Sequence, residues 1–131
     1  MKLSIIVPCY NEQKALTIFF ECTHKIITEI GCEYEFIFIN DGSKDGTLSF
    51  LKQIAEKNAN VYYISFSRNF GKEAAMYAGF CNAKGDYVAV MDADMQDPPS
   101  LLPKMLELLQ TGESSRLLNT NRSCTYFANS R

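Results

Sequence analysis

Short apolar runs alternate along this chain with longer segments whose apolar residues recur at helical spacing. Leu3–Pro8 is an apolar, β-branched run closed by proline, the pattern of a buried strand. From Gln13 to Ile30 the apolar positions Leu16, Phe19, Phe20, Ile26, Ile27 and Ile30 mark one face of a helix, and Gly31 is a suitable stop. The rhythm then repeats: strand Glu35–Asn40, helix Thr47–Lys57, strand Val61–Phe66, helix Gly71–Ala83, strand Tyr87–Met91. A last helix opens at Pro98 and Pro99, where proline sacrifices no helical hydrogen bond, and runs to Leu109. Strand followed by helix, four times over, predicts an α/β fold of three layers. Its open, mostly parallel sheet has right-handed crossovers and helices on both faces. In such sheets a ligand binds beyond the carboxyl ends of the strands, where strand order reverses. That rule selects four loops: Cys9–Glu12, Asp41–Gly46, Ser67–Gly71 and Asp92–Asp97.

The periodicity stops near Thr111. Thr111–Arg131 is rich in Ser, Thr, Asn and Arg, so the expected organisation is one domain over 1–112 and an irregular tail over 113–131. The one place in the tail that suits a short strand is Arg116–Leu118. A length of 131 residues fits one domain and is too short for two.

Composition narrows the partners. Hydrophobic residues make up 47% and charged residues 21%, enough for a packed core. The net charge of -2 argues against a nucleic-acid partner, which would select a basic face. It also means that a phosphate-rich ligand needs local donors or a metal. No run reaches the roughly 18 apolar residues of a membrane span, and Met1–Ser4 leads straight into a strand rather than a leader peptide. Five cysteines at irregular spacing, with no CxxC pair, support neither a zinc knuckle nor a disulfide framework. Reduced, mostly buried thiols in a cytoplasmic protein are expected.

The fourth loop carries the most chemistry. Asp92, Asp94, Gln96 and Asp97 leave the end of a buried strand within six residues. Carboxylates this close repel one another unless a cation joins them, and oxygen-only ligands suit Mg²⁺ or Mn²⁺. Capping of the next helix explains one acid, Asp97 most simply, but not three. In the second loop, Ser43, Asp45 or Thr47 can cap the following helix. Asp41 fits that role poorly, because it stands where the strand should still be apolar; its carboxylate can accept hydrogen bonds from a base or a ribose. In the first loop, Asn11 can cap the first helix, while Tyr10 suits a flat base and Glu12 a ribose hydroxyl. That loop lacks G-x-G-x-x-G, which weighs against a dinucleotide oxidoreductase. The third loop brings Arg68 and Lys72 to the same sheet edge, either as surface charge at a helix start or as partners of a pyrophosphate. His24 reads as a boundary residue, and Tyr62 and Tyr63 as strand packing.

Three segments, SIIVPCYNE (4–12), NDGSKDGT (40–47) and DADMQDPP (92–99), together resemble the family 2 glycosyltransferases of the GT-A fold. SRNFGKEAA (67–75) looks like the polyprenyl-phosphate branch, similar to bactoprenol glucosyltransferases and dolichyl-phosphate mannose synthase. The resemblance covers residues 3–112 and implies a Rossmann-like nucleotide-sugar-binding domain. It places Pro8, Tyr10, Glu12 and Asp41 around the nucleoside, with Asp41 on the base. Asp92 and Asp94 form the D-x-D pair. Asp94, helped by Gln96, would hold Mg²⁺ or Mn²⁺ on the donor diphosphate, and Arg68, Asn69 and Lys72 would lie beside the nucleotide and its phosphates. The implied reaction moves a sugar, glucose by this branch, from a UDP-sugar to a lipid phosphate or glycan with inversion, at the inner face of the cell membrane.

Family members continue past this point with another strand, acceptor-binding residues and membrane helices. The tail after Gly112 does not resemble that strand and suggests a truncated or frameshifted end. Nucleotide binding with weak or absent transfer is therefore expected, and a non-catalytic nucleotide-sugar-binding fragment is the alternative function. A nucleotidyltransferase would need a triphosphate-gripping loop after the first strand. An incomplete sheet edge after the fourth helix would invite pairing with a second chain.

Overall fold

The structure is a computed structural model that describes residues 2–94, 99–110, 118–120, 123–125 and 127–129. The elements run β1 (Lys2–Cys9), α1 (Gln13–Ile30), β2 (Glu33–Asn40), α2 (Thr47–Lys57), β3 (Val61–Ser65), α3 (Lys72–Asn82) and β4 (Tyr87–Val90). A 3₁₀ turn (Pro99–Leu101) leads into α4 (Leu102–Gln110), followed by β5 (Leu118–Thr120), β6 (Ser123–Thr125) and β7 (Phe127–Asn129). The four strand–helix units thus fall where the hydrophobic pattern puts them. Among the described residues no helix is long and apolar enough to cross a membrane.

The main sheet has the order β3-β2-β1-β4-β7, parallel except for β7, which pairs antiparallel with β4. Chain order grows outward from β1 to β3, then jumps back to β4 on the other side of β1. Right-handed crossovers in opposite directions put α3 on the face opposite α1 and α2. The alternation of β1 shows it directly: Leu3, Ile5, Val7 and Cys9 join the core under α1, α2 and α4, while Ile6 joins a smaller core under α3. Gly79 lets α3 approach, since a β-carbon there would stand 2.4 Å from Ile6 Cγ2. Pattern and packing agree because the central strands are buried on both faces and read as apolar runs.

The tail expected to be irregular over 113–131 contains three short strands. One of them, β7, occupies the position beside β4 that was expected to stay open to another chain. Three-residue strands leave too little periodicity to detect in a polar sequence. Two other expectations change. Of the four cysteines whose burial is described, Cys9 is buried, Cys22 and Cys32 are half-buried and Cys81 is exposed. Tyr62 and Tyr63 are exposed, because β3 is an edge strand. His24 is the boundary residue expected, stacked on Phe20 at 5.3 Å between ring centroids and 2.9 Å from the Tyr34 hydroxyl.

At the amino-terminal rim of the sheet, Glu35 is 3% exposed. Its Oε2 accepts hydrogen bonds from Ser4 Oγ at 2.7 Å and Lys84 N at 2.8 Å, and Lys2 Nζ lies 3.4 Å from Oε1. Burial pushes this carboxyl up, but the hydrogen bonds from Lys84 and Ser4 and the Lys2 charge outweigh it and hold the group below its ordinary value.

Candidate nucleotide and metal site

The opposite rim, at the carboxyl ends of the strands, holds a cleft of about 300 Å³. It is lined by Pro8, Cys9, Tyr10, Glu12, Asp41, Lys72, Asp92 and Asp94. The ends of β1 and β4 form its centre, which is where strand order reverses. Pro8, Tyr10, Glu12, Asp41, Lys72, Asp92 and Asp94, far apart in sequence, are therefore brought together on one cleft. Arg68 and Asn69 stand beside the cleft but do not line it. The Arg68 guanidinium lies 4.4 Å from the centroid of the Phe70 ring, and Asn69 Nδ2 donates to the Asp41 carbonyl at 3.3 Å. Gln96 and Asp97 lie outside the described residues.

Asp41 is nearly enclosed, at 4% exposure, and its backbone N–H still belongs to the sheet, donating to the Cys9 carbonyl at 2.8 Å. Its two carboxylate oxygens accept the N–H groups of Phe70 at 2.8 Å and Gly71 at 3.1 Å. A buried acid at a strand end is tolerated because these donors replace water. Gly42 follows with φ 73°, and a β-carbon on it would lie 2.3 Å from the Arg68 carbonyl carbon. The second and third loops therefore touch backbone to backbone, and glycine is what permits it.

Capping explains only part of the polar residues of the first two loops: Asp45 Oδ1 accepts from Thr47 N at 3.0 Å at the start of α2. The N-cap residues, Glu12 of α1 and Gly46 of α2, make no side-chain cap. Instead the side chains cross between loops. Thr47 Oγ1 accepts from Glu12 N at 3.1 Å, Asp45 Oδ2 from Gln13 N at 3.4 Å, and Gln13 Oε1 from Gly46 N at 3.0 Å. Adjacent parallel strands bring the starts of α1 and α2 close together, so the orphan N–H groups of one helix find acceptors on the neighbouring loop.

The electrostatics of the cleft are acidic. Burial raises the Glu12 carboxyl, and the neighbouring charges of Asp94, Asp92 and Asp45 raise it further. Lys72 answers part of this charge, its Nζ 2.9 Å from Asp92 Oδ1. Cys9 was not singled out from sequence, although its position two residues after Val7 on the same strand face was a usable signal. Burial, and then the charge of Glu12, push its thiol well above the ordinary value, so it is an inert wall rather than a nucleophile.

The acids test the metal expectation. Among the described residues no three His, Cys, Asp or Glu side chains form a ready-made metal cage. A hard cation held by one or two carboxylates and completed by ligand phosphates and water needs no such cage. The surplus of oxygen donors at Glu12, Asp92 and Asp94 fits that second mode.

Comparison with known proteins agrees with this architecture. The family model described as "Glycosyl transferase family 2" matches residues 4–120. The chain is 44% identical over 128 residues to the putative glycosyltransferase CsbB of Bacillus subtilis, covering 98% of this chain and 39% of that protein. It is 42% identical over 112 residues to the prophage bactoprenol glucosyl transferase homolog of Escherichia coli, covering 86% of this chain and 37% of that protein. The chain thus spans about two-fifths of the length of these relatives. Among solved structures, glucosyl-3-phosphoglycerate synthase of Mycobacterium tuberculosis, in complex with Mn²⁺, UDP-glucose and phosphoglyceric acid, superposes with a TM-score of 0.73. The identity is 18%, over 98% of this chain and 56% of that one, so the likeness establishes the shared GT-A fold.

Proposed function

The chain belongs to glycosyl transferase family 2, and from that premise we propose that it is the donor-binding part of an inverting glucosyltransferase. The donor is a UDP-sugar and the acceptor a polyprenyl phosphate at the inner face of the cell membrane. The observation that carries this reading is the convergence of Asp41, Asp92, Asp94, Glu12 and Lys72 on one cleft at the sheet's switch point. The bactoprenol name of the Escherichia coli relative supports the acceptor, and the UDP-glucose complex of the mycobacterial neighbour supports the donor.

In this reading Tyr10 stacks on the base, while Glu12 and Asp41 accept hydrogen bonds from the nucleoside. Lys72 leaves Asp92 to meet the diphosphate, and Arg68 and Asn69 bound the nucleotide from outside the cleft. Asp94, with Gln96, would hold Mg²⁺ or Mn²⁺, which supplies a Lewis acid that offsets charge on the departing nucleoside diphosphate. The acceptor phosphate is ionised at neutral pH, so the chain need not supply a strong general base. Its task is to hold the anomeric carbon open to attack from the face opposite the diphosphate.

The test is calorimetric titration with UDP, UDP-glucose and GDP, each with Mn²⁺ and with a chelator. UDP and UDP-glucose should bind with Mn²⁺, more weakly without it, and more tightly than GDP. Absence of UDP binding in Mn²⁺ would refute the donor reading. A parallel assay for transfer of labelled glucose to a polyprenyl phosphate separates a complete enzyme from a nucleotide-sugar-binding module without transfer.

A further inference from the structure

Asn11 sits between two cleft-lining residues, Tyr10 and Glu12, yet is not itself part of the lining. Its φ of 51° makes it the one non-glycine residue with positive φ among those described. Asparagine tolerates this left-handed conformation better than most residues, and alanine does so poorly. The side chain does not cap α1. It reaches the next loop instead: Asn11 Oδ1 accepts from Lys44 N at 2.8 Å, while Asn11 N donates to Ser43 Oγ at 2.9 Å. The two bonds run in opposite directions between the same two loops, so they resist both sliding and separation. The left-handed residue reverses the chain between the end of β1 and the start of α1, which is the turn that brings Tyr10 and Glu12 to the cleft.

We propose that Asn11 is a positioning residue: its left-handed backbone and its reciprocal clasp with Ser43 and Lys44 set Tyr10 and Glu12 at the cleft. Nucleotide affinity then depends on Asn11 without Asn11 touching the nucleotide. The affinity half of this inference rests on the UDP-sugar reading above; the geometric half does not.

Four variants of the whole chain separate the contributions. Asn11→Asp keeps both the acceptor and the tolerance of positive φ. Asn11→Gly keeps the backbone and loses the acceptor. Asn11→Ala loses both, and Ser43→Ala removes the other half of the clasp. The first measurement is by nuclear magnetic resonance on the ligand-free protein. Exchange of the Lys44 amide should rise about three- to tenfold in the Gly and Ala variants, the loss of one hydrogen bond, and stay near wild type in Asp. Order parameters at Tyr10 and Glu12 should fall in parallel. The second measurement is UDP affinity in Mn²⁺, expected to stay near wild type in Asp, to weaken about threefold in Gly, where the bond is lost, and about thirtyfold in Ala, where the backbone fit is lost as well.

Unchanged exchange and order in the Gly and Ala variants would overturn the clasp. Altered order with wild-type UDP affinity would overturn the positioning role and leave a purely structural one. If wild type itself does not bind UDP, the donor reading fails and the first measurement alone decides the geometry. If Asn11→Ala does not fold, the Gly and Ser43→Ala variants carry both measurements.

Discussion

Lys72 Nζ lies 2.9 Å from Asp92 Oδ1, so the chain brings its own cation to one of the acids that line the cleft. The pair joins the first turn of α3 to the end of β4, and Lys72 is half exposed. An exposed ammonium on a flexible stem can change partners at little cost. Lys72→Met should therefore alter folding stability by less than about 1 kcal/mol, as for other exposed pairs. UDP affinity in the same variant should fall about tenfold or more, the usual effect of losing a hydrogen bond to a charged group. Urea unfolding and calorimetry, run on the same preparation, check both halves.

Glu12 reports on the acidity of the cleft. Its raised carboxyl means that ionised Glu12 works against folding at neutral pH, and this cost disappears as pH falls through the raised value. Burial is the largest cause, followed by Asp94. Asp94→Asn should lower the Glu12 titration toward the ordinary carboxylate range and raise stability slightly at neutral pH. Added Mn²⁺ should move Glu12 in the same direction. Titration of the Glu12 carboxyl carbon by nuclear magnetic resonance measures this; an unmoved midpoint in both cases would remove Asp94 and the cation from its surroundings.

Asp41→Asn is nearly isosteric but replaces one acceptor by a donor. One of the Phe70 and Gly71 N–H groups would then face an amide NH₂. The expected cost is about 1–3 kcal/mol in urea unfolding, the penalty for a buried unpaired donor. Faster amide exchange should be confined to Phe70 and Gly71, which distinguishes local loosening of the third loop from global destabilisation.

Glu35 gives the opposite pH signature at the other rim. Its folded-state value is held below the ordinary one, so its contribution is complete above the usual glutamate range. The contribution is lost as pH falls through the depressed value. Glu35→Gln should cost about 1–3 kcal/mol at neutral pH, because the hydrogen bonds from Ser4 and Lys84 lose their ionised acceptor. The variant should also show a flatter stability profile in acid. Equal acid sensitivity in wild type and variant would rule out Glu35 as its source.

The hydrophobic pattern sufficed for the parallel strands and their helices because each central strand is buried on both faces and each long helix has one apolar face. It located the cleft because β/α alternation fixes which rim carries the loops. It could not show what the loop side chains do. Asn11, Ser43, Asp45 and Thr47 are all good capping residues; Asp45 does cap the start of α2, and the parallel neighbour relation of β1 and β2 makes cross-links of all four. For Arg68, charge left surface and pyrophosphate roles open; its guanidinium lies 4.4 Å from the centroid of the Phe70 ring, and it is not among the residues lining the cleft. Of the short strands after α4, β5 (Leu118–Thr120) overlaps the place expected, Arg116–Leu118, at one residue, whereas β7 has three residues and its partner β4 lies far back in the chain, so the pattern did not show it.

The hydrogen bonds that tie the first loop to the second, and the second to the third, have an evolutionary consequence. A change of donor preference cannot be made by exchanging one loop with a relative, because the imported segment would arrive without its partners across the gap. Recombination or design at this rim should succeed only when residues 9–13, 40–47 and 67–72 travel as one cassette.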